Sequence, residues 1–169
     1  MTDAPVTTAA PVTSGPPAAE RQLRLLGDAQ LSRAIQVAAT LAIADHIADE
    51  PRSAEDLARL TGCEPGLLRR LLRYLAFAEV FSATGDGRYT LTEMGRLLCS
   101  DEPSSVRAEL VIGADDRALW WSTGEMLHTV RTGQPAFDHV YGVSMWEAMR
   151  TAAGSSTRFQ QAMTAGSAE

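Results

Sequence analysis

The segment from Ser53 to Leu98 constrains the fold more than any other part of the chain. Ser53-Ala54-Glu55-Asp56 opens a short helix with serine in a capping-box-like position, and Leu57, Ala58 and Leu60 give that helix an apolar face. Thr61-Gly62-Cys63 reads as its turn. Glu64-Pro65 opens a second helix, because proline suits the first helical position, where its missing N–H costs nothing. Along it, Leu67, Leu68, Leu71, Leu72 and Leu75 are expected to face inward, and Arg69, Arg70 and Arg73 outward. Two short strands, Val80–Ala83 and Arg88–Leu91, flank Thr84-Gly85-Asp86-Gly87, a hairpin-turn signal. Thr92 caps a further short helix running through Leu98. Helix, turn, helix and hairpin in this order predict a winged helix-turn-helix with one small β-hairpin.

The flanks are read with less local detail. Residues 1–19 are mainly Pro, Ala and Thr with little to bury, so a disordered arm is expected there. From Glu20 onward Leu23, Leu26, Leu31, Ile35, Ala38 and Leu41 recur at helical spacing, while Asp28, Ser32, Gln36 and Thr40 form a polar stripe. The alanine-rich apolar face predicts close helix packing, with a second copy of the chain as a candidate partner. Pro51 stops this helix or helix pair. Residues 103–163 read as helical again, through Val106, Leu110, Leu119, Leu127 and Val130, with Gly133 ending one run and Arg131 in its last turn. A loop through Pro135, Phe137, Tyr141 and Gly142 is expected before a helix at Met145–Met149. Arg158–Met163 reads as a last amphipathic turn. The whole is a mainly α chain, divided at residues 1–19, 20–100 and 101–169.

Charge and composition exclude several classes. A net charge of −6 argues against general affinity for nucleic acid or an anionic membrane. A DNA-binding regulator is still the first alternative, because Arg69, Arg70 and Arg73 on the second helix and Arg88 on the wing are candidate phosphate contacts. Against it, residues 53–99 carry six Arg and six acidic residues, so a neutral module gains little from counterion release. Cys63 and Cys99 are far apart and read as buried or incidental thiols of a reducing compartment. His46, His128 and His139 form no ligand-spaced pattern, and no metal site is expected. No apolar run approaches the ~20 residues that span a bilayer, and the N-terminus lacks a secretory pattern, so a cytoplasmic location is expected.

A dinucleotide-type cofactor site needs a strand, a glycine-rich turn, a helix N-terminus and a later acidic residue. The thirteen glycines are scattered, and the one Gly-x-Gly, Gly85-Asp86-Gly87, sits in the expected hairpin turn. No Rossmann domain and no cofactor-binding residue is expected up to Glu169.

Several phrases of the chain, in order, resemble the N-terminal part of the plant-type and bacterial S-adenosylmethionine-dependent O-methyltransferases, in the branch acting on aromatic polyketides such as anthracyclines. The phrases are Ala39-Thr40-Leu41-Ala42-Ile43-Ala44-Asp45, Leu57-Ala58 through Gly62, Leu68 to Leu75, and Tyr89-Thr90-Leu91-Thr92 through Gly95 and Leu98. Thr132-Gly133-Gln134-Pro135-Ala136-Phe137, Gly142, Trp146-Glu147, and the pair Phe159 and Met163 continue the set. The resemblance runs from about Glu20 to Met163. It implies that residues 20–100 are dimerisation helices plus a structural winged helix, and that 101–169 is a substrate-lid and linker region. It also implies S-adenosylmethionine as the cofactor of a complete family member, with a homodimer, or a catalytic domain or chain, as partner. No catalytic residue carries over, and these residues alone are expected to be inactive. The remaining alternative is a stand-alone ligand-binding protein, or one performing cofactor-free chemistry on a polyketide.

The aromatic and thioether groups after residue 119 are the candidate substrate wall. Flat polycyclic ligands are held by stacking and by polarisable sulfur. The candidates are Trp120, Met126, Phe137, Tyr141, Trp146, Phe159 and Met163, the last two one helical turn apart. Trp120 and Trp121 are adjacent and must point to different faces. For any one of these residues, ordinary helix core plus dimer interface is the simpler reading. His128 and His139 show no carboxylate partner in the sequence and read as surface or loop residues rather than general bases.

Overall fold

Asp28 decides how the ordered part of the chain begins. The computed structural model describes residues 17–115 and 117–151; Phe159 and Met163, and most of the expected N-terminal arm, lie outside them. The periodic segment after Glu20 is not one helix. It breaks at Gly27-Asp28 into α1 (Ala18–Leu26) and α2 (Ala29–Thr40). The Asp28 carboxylate accepts from the backbone N–H groups of Gln30 and Leu31 at 2.9 and 3.1 Å, so the first residue of the expected polar stripe is a helix cap. A second member of that stripe, Gln36, is buried at 8% exposure and accepts from Arg33 at 2.7 Å. Ala42, in the left-handed region at φ 53°, separates α2 from α3 (Ile43–His46).

The two helices and the hairpin strands of this segment lie where the sequence places them. Ser53 caps α4 (Ala54–Thr61) by accepting from the Asp56 N–H, and left-handed Gly62 closes it. The Glu64 side chain caps α5 (Pro65–Phe77) through the N–H groups of Gly66 and Leu67. Leu68, Leu72 and Leu75 are buried and Leu71 packs at the core edge, but Leu67 is 62% exposed. Its place in the first turn carries it beyond the face that meets α2 and α4. The hairpin is wider than the sequence suggests. Strands β2 (Phe81–Ala83) and β3 (Arg88–Leu91) are joined by a third, β1 (Arg52–Ser53), in the antiparallel order β1-β3-β2. Arg52 pairs with Tyr89 and Ser53 with Arg88, while Phe81 pairs with Leu91. A two-residue strand has no periodicity to read, and only its partner reveals it.

Thr92 caps α6 (Glu93–Arg96) and its hydroxyl also donates to the Val80 carbonyl at 2.7 Å. Ile43, Ile47, Leu57, Leu72, Leu75, Phe81 and Cys99 form the centre of the core, with Leu31, Ala34 and Ala38 of α2 against it. Ala34, Ala38 and Ala39 of α2 are therefore consumed within the chain, and α7 (Arg107–Asp115) runs along the same helix. They are not the surface left for a second copy.

Four further helices follow: α8 (Arg117–Gly124), α9 (Met126–Thr132), α10 (Ala136–Tyr141) and α11 (Met145–Thr151). Gly133 closes α9 in the left-handed conformation, as its position predicts. The expected loop from Pro135 to Gly142 is instead α10. Proline presets its N-cap and left-handed Gly142 its end, so the same punctuation that marks a loop here brackets six helical residues. The described residues are mainly helical with one small three-stranded sheet. None of their helices is long and apolar enough to cross a membrane.

Candidate functional site

The candidate wall residues that can be placed fall on three of the C-terminal helices and on the start of a fourth. Trp120 is half-buried on α8, and the Arg33 guanidinium of α2 lies over its ring, 4.3 Å from the centroid. Trp121 points elsewhere and is exposed, as adjacency requires. On α10, which packs against α8, Phe137 and Tyr141 stand one turn apart with ring centroids 4.8 Å apart and planes tilted by 42°. Met126 begins α9 and Trp146 lies on α11, and both are exposed. The geometry thus brings Phe137 and Tyr141 together and places Trp120 on the neighbouring helix.

His128 and His139 belong to helices α9 and α10 and stack face to face, with centroids 3.8 Å apart and planes within 11°. Neither ring is hydrogen-bonded to a carboxylate among the described residues, so the pair joins two helices and shows no general-base geometry.

The DNA-contact alternative loses two of its four arginines. Arg69 pairs with Glu55, and Arg88 with Asp86 at 3.2 Å. Arg70 and Arg73 border an open depression of about 330 Å³ together with Tyr74. The Tyr74 hydroxyl donates to the Asp28 carboxylate, which lines a second open depression with Leu23, Arg24 and Gly27. That bond and the backbone N–H donors hold Asp28 below the usual carboxylate range, and it pushes Tyr74 up to about 12.

One cluster escaped the sequence reading. Asp45, Cys99 and Asp101, spread over 57 positions, bring their ligand-type atoms within 4.8 Å of one another. Their chemistry is structural. Asp45 accepts from the Ser100 N–H at 2.7 Å and hydroxyl at 3.0 Å, and stands 3.8 Å from the Arg107 Nε. Burial pushes the Cys99 thiol up, which disfavours the thiolate that a metal needs. The signal was Asp45 itself, the last residue of the Ala39–Asp45 phrase, which caps the turn at Ser100 and faces α7. Arg33 was missed as well, since nothing local to it announces Trp120.

Comparison with known proteins agrees with this architecture. The family described as O-methyltransferase dimerisation domain matches residues 23–101. A 2,7-dihydroxy-5-methyl-1-naphthoate 7-O-methyltransferase of Streptomyces carzinostaticus is 40% identical over 137 residues, covering 79% of this chain and 40% of that protein. An aclacinomycin 10-hydroxylase, RdmB, of Streptomyces purpurascens is 36% identical over 128 residues, covering 74% of this chain and 34% of the relative. Among solved structures, NcsB1, an O-methyltransferase from neocarzinostatin biosynthesis in complex with S-adenosylmethionine and 2-hydroxy-5-methyl naphthoic acid, superimposes with a TM-score of 0.69. It is 39% identical, and the match covers 83% of this chain and 43% of that one. The chain spans less than half the length of the relatives it matches. No comparison supports a DNA-binding regulator. Residues 23–101 of this chain belong to the O-methyltransferase dimerisation-domain family.

Proposed function

We propose that this chain supplies the dimerisation and acceptor-binding part of an S-adenosylmethionine-dependent O-methyltransferase for an aromatic natural product. Residues 20–100 are the dimerisation helices with a structural winged helix, and 101–169 the acceptor-facing lid, with Trp120, Met126, Phe137, Tyr141, Trp146, Phe159 and Met163 as its wall. The observation that carries the reading is the apolar surface left uncovered. Leu23 and Leu26 of α1 are 72% and 78% exposed, and Trp121, Met126, Leu127, Val130 and Trp146 extend the same character over α8, α9 and α11. A monomer leaves few such side chains clustered in water, and a dimer with an aromatic ligand covers them.

The described residues do not fit the cofactor. Their sheet is three short antiparallel strands, and Gly85-Asp86-Gly87 turns a hairpin with no helix N-terminus behind it. The family's cofactor therefore has no seat among them. RdmB, named as a hydroxylase, shows that relatives of this region serve more than one reaction. Sedimentation equilibrium tests the reading. A species of twice the 18.1 kDa chain mass is expected at micromolar concentration, and a stable folded monomer ends the dimer proposal.

A further inference from the structure

The Arg33–Trp120 pair goes beyond what holding two helices together requires. The guanidinium lies 4.3 Å from the ring centroid, well inside the distance at which a cation is drawn to an indole face. The side-chain oxygen of buried Gln36 accepts from Arg33 Nη1 at 2.7 Å, which fixes the guanidinium in place. One face of Trp120 is thus covered by a fixed positive charge, and the ring stays half-buried on α8, the helix against which α10 with its Phe137–Tyr141 pair packs.

We propose that Arg33 is a positioning residue that makes Trp120 a one-sided stacking surface selective for electron-rich aromatic acceptors. The proposal rests on the reading of α8 and α10 as an acceptor wall. The physical cause is polarisation. An aromatic ring carries negative charge on both faces and repels another rich face laid directly on it. A cation held over one face draws π density towards itself and leaves the opposite face poorer. A hydroxy- or alkoxyarene, the kind of ring that an O-methyltransferase accepts or releases, then stacks on that opposite face better than a ring depleted by a withdrawing substituent. Arg33 never touches the ligand in this arrangement. It acts through the indole.

The test measures a ratio. Equilibrium dialysis of the full chain with 2-methoxynaphthalene, which has no hydroxyl to donate, and with 2-cyanonaphthalene compares a rich and a poor ring of similar shape. The wild type is expected to bind the methoxy compound about three- to fivefold more tightly, the size of an exposed cation–π contribution. Arg33→Met should bring that ratio close to one, and Arg33→Lys, which keeps the cation, should retain most of it. A helix-docking role would weaken both compounds together and leave the ratio unchanged, so an unchanged ratio in Arg33→Met overturns the proposal. Trp120→Leu removes the surface and should abolish the preference in the same way; a preference that survives it places the selective face elsewhere and also overturns the proposal. If neither compound binds the wild type, the acceptor-wall reading fails and this inference with it. Binding without an Arg33-dependent ratio sinks the inference alone.

Discussion

Gly95 leaves no room for even one more carbon. A Cβ there would run into the Val80 carbonyl oxygen and come within 3.1 Å of the Phe81 ring. That carbonyl already accepts from Thr92, whose hydroxyl in turn caps the Gly95 N–H at 3.0 Å. Gly95→Ala must therefore shift backbone in the core or break the cap, and should cost about 1–3 kcal/mol in urea unfolding, the usual range for overpacking. An unchanged midpoint would mean that α6 can slide without penalty. Asp28 and Tyr74 set a different kind of dependence. The folded state holds Asp28 below its ordinary value through the Tyr74 hydroxyl first, then the Leu31 and Gln30 N–H groups. A depressed carboxyl contributes stability above its unfolded value and loses it as pH falls through the folded one. Tyr74 is raised from near 10 to about 12 by the same bond, so its contribution is complete below pH 10 and disappears as pH climbs to about 12. Asp28→Asn, which can still cap α2, is expected to flatten the acid limb of stability against pH, and Tyr74→Phe the alkaline limb. Denaturant midpoints measured from pH 2 to 5 and from 9 to 12 decide both.

Short-range rules made most of the central elements legible. Ser53, Gly62, Glu64-Pro65 and Gly87 each fix a boundary by their own chemistry, and α4, α5 and the hairpin sit where those residues put them. What the sequence hid is what depends on a distant partner. Strand β1 exists because β3 pairs with it, α2 is covered because the core and α7 both pack against it, and Arg33 meets Trp120 across 87 positions. The α1–α2 break was visible only as an aspartate in a polar stripe, since a cap and an exposed helical residue look alike in periodicity. The attachment of α7 belongs to the same non-local class. Arg107 Nε donates to the Ala39 carbonyl at 2.9 Å, beside the Ala42 N–H that closes the end of α2 at 3.2 Å, and stands near Asp45. Arg107→Ala should cost about 1–2 kcal/mol, because it removes a charge-assisted hydrogen bond and a nearby counter-charge that hold α7 to α2 and Asp45. Amide exchange should speed up in α7 before it does in α5. Uniform loss across both helices would show that α7 and the core unfold as one unit.

The assembled molecule presents a core that is complete and an outer helix that is not. No residue of α1 is buried, although its Leu25 touches the core edge and Arg21 ties it to Phe77 and Glu79. The helix is anchored by polar contacts at one end while Leu23 and Leu26 stay in water. Such a helix contributes little to the fold of its own chain, which makes it a clean place to test assembly. In a two-fold dimer each substitution occurs twice, and each leucine removed from an interface forfeits roughly 1.5–3 kcal/mol of burial. Leu23→Glu combined with Leu26→Glu should therefore weaken the proposed dimer by about ten-thousandfold or more if both side chains are fully buried in it, with helical circular dichroism preserved because the core does not depend on either side chain. Sedimentation equilibrium over a range of concentrations reads the constant directly. A double variant that stays as tight a dimer as the wild type would move the interface off α1. The exposed Val130 and Trp121 then become the next positions to charge, since they are the most exposed large apolar side chains of α9 and α8 among the described residues.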